Sequence, residues 1–312
     1  MSSSNSLRLV DLGALLYLGA VWGAAFLFLR IAAPEVGPAW AAEIRLAIGA
    51  GLLVLVAGRR TLAAARGRWL AFLAVGATFS AIPFTLIAVA TLTLPTGYTA
   101  LLNAATPLFT AVLGVLVLRQ RLVPRVVAGL VVGLVAVVIL VGGSPLEVGP
   151  TTLLAVAAGL GAPASYAVAG TLTRRHLAGI GGTELATGML VAGALVALPV
   201  ALLTGAPGVP SLDGIVALVA VGTLSTALAW PVFFRVLSHT TPTAASTVTF
   251  IVPAFAIAWG AIALGEAVGP ALIAGFALVL VSLALVLGIR LPAAGFRARA
   301  LARRPVAEAT GA

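Results

Sequence analysis

The chain has 312 residues, 62% of them hydrophobic and 8% charged, with a mean hydropathy of +1.20. A soluble domain carries about 25% charged residues, so this chain lacks the polar surface to face water and its main solvent is lipid. It carries a net charge of +10 and no cysteine, which excludes disulfides, thiolate catalysis and Cys-ligated metals.

At roughly 20 apolar residues per crossing, about ten helices fit the length. Residues 1–11 read as a short polar tail. The apolar stretch after it is too long for a secretory signal and has no convincing cleavage site, so it reads as a retained span. Spans are predicted over 12–29, 39–57, 69–92, 98–118 and 126–141. Gly142, Gly143, Ser144 and Pro145 then break the chain, and 142–151 reads as a linker. Further spans are predicted over 152–173, 185–203, 215–234, 244–264 and 271–289, followed by a basic tail over 290–312. The segments are apolar all round, so length and breakers define them better than periodicity. The predicted fold is an all-α polytopic membrane protein of ten transmembrane helices.

The chain repeats itself. Shifting residues 98–140 by 146 brings Pro107 onto Pro253, Phe109 onto Phe255, Gly114 onto Gly260, Pro124 onto Pro270 and Gly129 onto Gly275. The earlier spans align with a shift of 144, which brings Trp22 onto Tyr166, Arg30 onto Arg174 and Gly49 onto Gly193. The units are 12–141 and 152–289, five spans each. Five is odd, so the second copy enters the membrane the opposite way round. Inverted repeats of this kind belong to secondary transporters, whose two halves rock about a central site.

The arginines support that inversion. Arg59, Arg60, Arg66, Arg68, Arg119, Arg121, Arg125, Arg174, Arg175 and Arg235 fall between or at the ends of spans on one side, together with the basic tail. The alternate loops carry Arg30 with Glu35, Glu147, Asp213 and Glu266. Basic loops stay cytoplasmic, so both termini are expected inside a cell (inner) membrane. The charge then forms a collar against anionic lipid headgroups, and no nucleic-acid partner is expected.

Proline removes a backbone N–H, so Pro107 and Pro253 free the carbonyls of Asn103 and Thr249. Thr99, Asn103 and Thr106 share one face of the fourth span, and Ser246 and Thr249 approach Pro253 in the ninth. Such groups in hydrocarbon line a cavity or find a protein partner; both readings stand. Glu43 and Arg45 in the second span are costly in a bilayer. Arg45 is a candidate for a substrate carboxylate and Glu43 for a coupling proton, unless both snorkel to the headgroups. Trp22, Tyr98, Tyr166, Trp230 and Trp259 are candidate cavity walls, or packing and interface aromatics. Gly13, Gly19 and Gly23, and the pair Gly129 and Gly133, read as close-packing faces. His176 and His239 have no ligand-spaced partner. No nucleotide, HExxH or G-x-S-x-G motif occurs, so neither enzyme activity nor a cofactor or metal is expected.

In this order the residues resemble the EamA-type transporters of the drug/metabolite transporter superfamily, over about 12–287. Trp22-Gly23 is similar to the family's "WG", and Arg45 to the arginine of its second span. Tyr98-Thr99-Ala100 through Asn103, Pro107 and Leu108-Phe109 is similar to its fourth span. Leu264-Gly265-Glu266, Gly269-Pro270 and Gly275 resemble the signature that ends each repeat. Gln120 departs from the glutamate usual in the first copy, and Tyr166-Ala167 from Trp-Ala in the second. The resemblance implies a small-molecule exporter of amino acids, other metabolites or toxic compounds. Spans three, four, eight and nine are expected to form most of the cavity wall. An exchanger of phosphorylated or nucleotide-linked metabolites would want two or more cavity cations, and only Arg45 is present. A non-transporting sensor or assembly protein would leave the inverted duplication unexplained. The expected partners are a small solute, a coupling proton and lipid; the oligomeric state is left open.

Overall fold

The computed structural model describes residues 9–118, 123–143, 147, 149–205, 209–239 and 247–288. Its helices run α1 (Leu9–Val36), α2 (Pro38–Ala65), α3 (Trp69–Thr93), α4 (Thr96–Val117) and α5 (Pro124–Gly142) in the first repeat. The second repeat has α6 (Pro150–His176), α7 (Gly182–Thr204), α8 (Leu212–Ser238), α9 (Val248–Leu264) and α10 (Pro270–Leu287). Among the described residues nine of these are long and apolar enough to cross a membrane, α9 is an apolar helix of 17 residues, and no strand occurs. The protein is an all-α polytopic membrane protein. Four helices open on proline (Pro38, Pro124, Pro150 and Pro270). There its missing N–H costs nothing and its fixed φ suits the first turn.

Several helices outrun their predicted ends. Pro34 lies in the last turn of α1 without stopping it. The chain reverses only at Gly37, whose φ of 84° favours glycine and whose N–H closes on the Ala33 carbonyl at 3.0 Å. Arg59 and Arg60, expected in a loop, extend α2, and Arg174 and Arg175 complete α6. Arginine is a good helix former, so a charged run at a span end prolongs the helix instead of breaking it.

The duplication is written into backbone detail. α3 contains a π-helical turn at Ala77–Ala81 and α8 one at Thr223–Leu228, both starting at the same place in the 146-residue register. A π turn widens the helix and loosens its carbonyl ladder. Here polar side chains from the neighbouring helix occupy it. Ser165 Oγ of α6 donates to the Thr78 carbonyl at 2.7 Å, and Trp22 Nε1 of α1 donates to the Ser225 carbonyl at 3.1 Å. Residues 21 and 22 correspond to 165 and 166 in the repeat, so the same device appears twice with different side chains.

Packing follows the duplication. α2 packs on α7 and α5 on α10, each helix against its own counterpart. α1 packs on α8 and α9, while α6 packs on α3 and α4. Exchanging the two repeats therefore maps the first two contacts onto themselves and those of α1 onto those of α6. Glycine permits the closest approaches. A Cβ on Gly23 would stand 2.9–3.0 Å from backbone atoms of α9, and one on Gly129 would stand 3.1 Å from the Ser282 carbonyl of α10. Ser282 Oγ closes the α5–α10 contact by donating to the Gly129 carbonyl at 2.7 Å. Gly13, expected on the same packing face as Gly19 and Gly23, meets nothing within 4 Å; the α1–α9 contact starts further along the helix.

Candidate functional site: a central aromatic cavity with one arginine

Between the repeats lies a cavity of about 290 Å³, near the lower end of the range that holds small molecules. Its wall combines Trp22, Ala25 and Phe26 of α1 with Arg45 of α2 and Phe79, Phe84 and Ile87 of α3. α4 adds Ala100, Asn103, Ala104 and Thr106, and α6 adds Tyr166. Trp230 and Phe233 of α8 and Val248, Thr249, Val252 and Pro253 of α9 complete it.

The aromatics form one continuous surface. Trp230 stands 5.3 Å from Trp22, 5.2 Å from Phe79 and 5.9 Å from Phe233, centroid to centroid, and Phe79 reaches Tyr166 at 5.4 Å. These are tilted or edge-on arrangements, which suit the ring quadrupoles.

Arg45 is the one charged residue in this wall, and it is 5% exposed. Burial at that level rules out snorkelling. The guanidinium lies 3.6 Å from the centroid of the Phe84 ring, within the range of a cation–π contact. Its Nε donates to Thr226 Oγ1 at 2.9 Å, and that hydroxyl donates onward to the Val221 carbonyl at 2.8 Å. Thr226 lies in the π turn of α8, so backbone irregularity supplies the acceptor. Arg45 is thus pinned by Nε and by one face, and no acceptor among the described residues takes its Nη groups. Two further polar atoms of wall residues, Trp230 Nε1 and Asn103 Oδ1, are buried without a protein partner among the described residues. The cavity therefore offers a cation on an apolar aromatic surface, and these two polar atoms are buried within the wall residues behind it.

The other predicted residues are placed as follows. Asn103, Thr106, Tyr166, Thr249 and Pro253 stand in the wall with Trp22, Arg45 and Trp230. The Asn103 carbonyl, expected to be free, accepts from Thr106 Oγ1 at 3.1 Å. α4 is broken at Ala104 and Ala105, so Pro107 opens a new helical segment instead of kinking a continuous one. Pro253, by contrast, sits inside the unbroken α9. Pro107, Tyr98, Thr99 and Trp259 stand off the wall. Tyr98 packs in the core with Leu101 and Leu140, Thr99 Oγ1 donates to the Pro95 carbonyl, and Trp259 Nε1 ties α9 to the Ala20 carbonyl of α1. Glu43 is buried at 7% exposure outside the wall, and its Oε2 has no protein partner among the described residues. Ser246 lies outside the described residues.

Phe26, Phe79, Phe84 and Phe233 are wall residues that sequence reading passed over. Phenylalanine is an ordinary core residue, and nothing local distinguishes a cavity wall from a packed interior.

The EamA-like transporter family matches residues 11–142 and 153–288, once per repeat. The chain belongs to the EamA-like transporter family. It is accordingly a multi-pass membrane protein of the transporter type, with one family unit on either side of the cavity. A solved structure described only as the crystal structure of a protein is similar to this EamA-like chain over 89% of its length and 96% of that structure's own. The identity is 18% and the TM-score 0.63, a likeness of fold. Among curated proteins none matches this family member.

Proposed function

We propose that this protein is a secondary-active exporter that moves a small carboxylate-bearing solute with an apolar or aromatic body by alternating access. The observation that carries the reading is Arg45, a single buried cation held by Thr226 and Phe84 inside an aromatic wall. A carboxylate offers two acceptors to the two Nη groups, and arginine matches that geometry in a bidentate way. The aromatic surface takes the apolar remainder. Two phosphate charges would want more cations than this wall supplies. Basic loop ends support cytoplasmic termini in a cell membrane. The residues in contact with the solute are Trp22, Arg45, Asn103, Thr106, Tyr166, Trp230 and Thr249.

Glu43 is the proposed proton carrier. Its carboxylate is buried two residues from Arg45, on the helix that packs against α7 and α8. Buried ionisable groups in membrane spans mark coupling pathways.

The test is uptake into proteoliposomes of labelled L-phenylalanine, L-leucine and benzoate, beside glucose 6-phosphate. The carboxylates are expected to accumulate, and Arg45→Gln should lower their flux tenfold or more. Flux confined to the sugar phosphate, or carboxylate flux indifferent to Arg45→Gln, overturns the reading. Glu43→Gln should abolish stimulation by an imposed proton gradient; stimulation at the parent level removes Glu43 from the mechanism.

A further inference from the structure

We propose that the Glu266 carboxylate is a latch that holds the transport pathway shut at one end of the bundle, and that the sequence provides no equivalent latch at the other end. The inference rests on the alternating-access reading above and adds which end is held.

The latch is built from the end of α9. Gly265 takes a φ of 65°, which lets the chain fold back so that Glu266 N–H closes on the Gly260 carbonyl at 3.1 Å. That C-terminal turn carries the Glu266 side chain to the start of α4. There Thr96 N–H donates to both carboxylate oxygens, at 3.0 and 2.9 Å, and Thr96 Oγ1 donates to Oε1 at 3.0 Å. The first N–H groups of a helix have no intrahelical acceptor and carry its positive pole, so a carboxylate is the favoured partner. Arg30 Nε of α1 stands 3.9 Å from Glu266 Oε1, and Arg30 Nη1 donates to the Thr91 carbonyl near the end of α3. One carboxylate thus gathers α1, α3, α4 and the α9–α10 connection.

This knot lies directly over the cavity. Phe26, Ile87 and Ala100 are wall residues, each four residues from Arg30, Thr91 and Thr96 respectively. That is about one turn, roughly 6 Å, on three helices at once. In the other direction the wall runs to Val248 and Thr249, in the first turn of α9. A second tie strengthens the same end. Glu35, at the end of α1, accepts from Ser211 N–H and Ser211 Oγ at the start of α8, both at 2.7 Å.

The repeat relates the two ends, so the opposite end is the internal control. In the 146-residue register Gln120 stands for Glu266 and Pro242 for Thr96. The first lacks the charge and the second lacks the N–H. Gly179 stands for Glu35 in the 144-residue register, and α3, the counterpart of α8, begins after Arg68 without a side-chain cap. Two inverted halves of one fold would otherwise close equally well at either end. The carboxylates break that balance and bias the cavity towards the end away from Glu266.

The absence of native cysteine makes the test direct. Val252→Cys places one thiol in the cavity wall, and Val268→Cys, beside Glu266, identifies the latched face. Labelling by a membrane-impermeant maleimide is compared in spheroplasts and inverted vesicles. The thiol at position 252 should react at least tenfold faster from the unlatched face. Adding Glu266→Gln should raise the rate from the latched face roughly tenfold or more, the scale of losing charge-assisted hydrogen bonds, with Glu266→Asp between. Glu35→Gln, alone and combined, provides a second variant should the first fail to reach the membrane. Unchanged rates at both faces in every variant overturn the latch, as does equal labelling from both faces in the parent. A labelling shift without flux of any tested solute upholds the latch and removes the transport reading; flux with unchanged labelling does the reverse.

Discussion

Arg45 and Met189 occupy the same place in the two repeats, and so do Thr226 and Ser80. At one of these two contacts between the repeats the arginine donates to the threonine; at the other a buried methionine stands in the arginine's place, and Ser80 Oγ is buried without a protein partner among the described residues. An orphaned buried hydroxyl costs about 1–3 kcal/mol, whereas loss of a hydrogen bond to a charged group costs about 1.5–3 kcal/mol. The two equivalent substitutions should therefore act in opposite directions. Ser80→Ala is expected to leave the thermal midpoint in detergent unchanged or raise it, and Thr226→Val to lower it, with Thr226→Ser sparing most of the loss. A drop for Ser80→Ala as large as that for Thr226→Val would contradict the pairing. Sequence reading reached Arg45 because a charge in an apolar span demands a reason. It did not reach Thr226, because one threonine among many in membrane helices carries no mark of its partner.

At the scale of the helix, α4 and α9 show how equivalent prolines diverge. Both prolines remove the same donor, yet α4 breaks at Ala104 and Ala105 while α9 runs through Pro253. The residues before the two prolines differ. Thr106 has a hydroxyl that satisfies the Asn103 carbonyl, and Val252, its counterpart, has none. Thr106→Val should leave that carbonyl without its hydroxyl partner and lower stability by about 1 kcal/mol, the typical net worth of a hydrogen bond, with a larger effect on flux because the break lies in the cavity wall. Thr106→Ser should behave as the parent in both measurements. Helix contacts offer a second test. Gly129→Leu would drive side-chain atoms into Ser282 and Val286 of α10. Overpacking costs about 1–3 kcal/mol, and the thermal midpoint should fall accordingly, while Gly13→Ala, which meets nothing within 4 Å, should be silent.

At the scale of the molecule, five crossings per repeat and the paired packing of α2 with α7 and α5 with α10 make two related halves around one cavity. Cysteines at positions 120 and 266, equivalent in the repeat, should be labelled from opposite faces of the membrane. Labelling from one face would break the inversion on which rocking depends. Composition, the spacing of Pro and Gly, and the 144- and 146-residue shifts determined by themselves that this is a duplicated ten-helix membrane protein. Those features state how much of each segment tolerates lipid and where a helix must begin, and both are local properties of the chain. The tertiary structure alone decided which aromatics face the cavity, that the π turn of α8 supplies both the acceptor for Arg45 and the seat for Trp22, and that Glu266 lies on the start of α4. In helices that are apolar on every side, periodicity does not say which face meets a neighbour, and partners some 170 residues apart in the chain meet only when the helices pack.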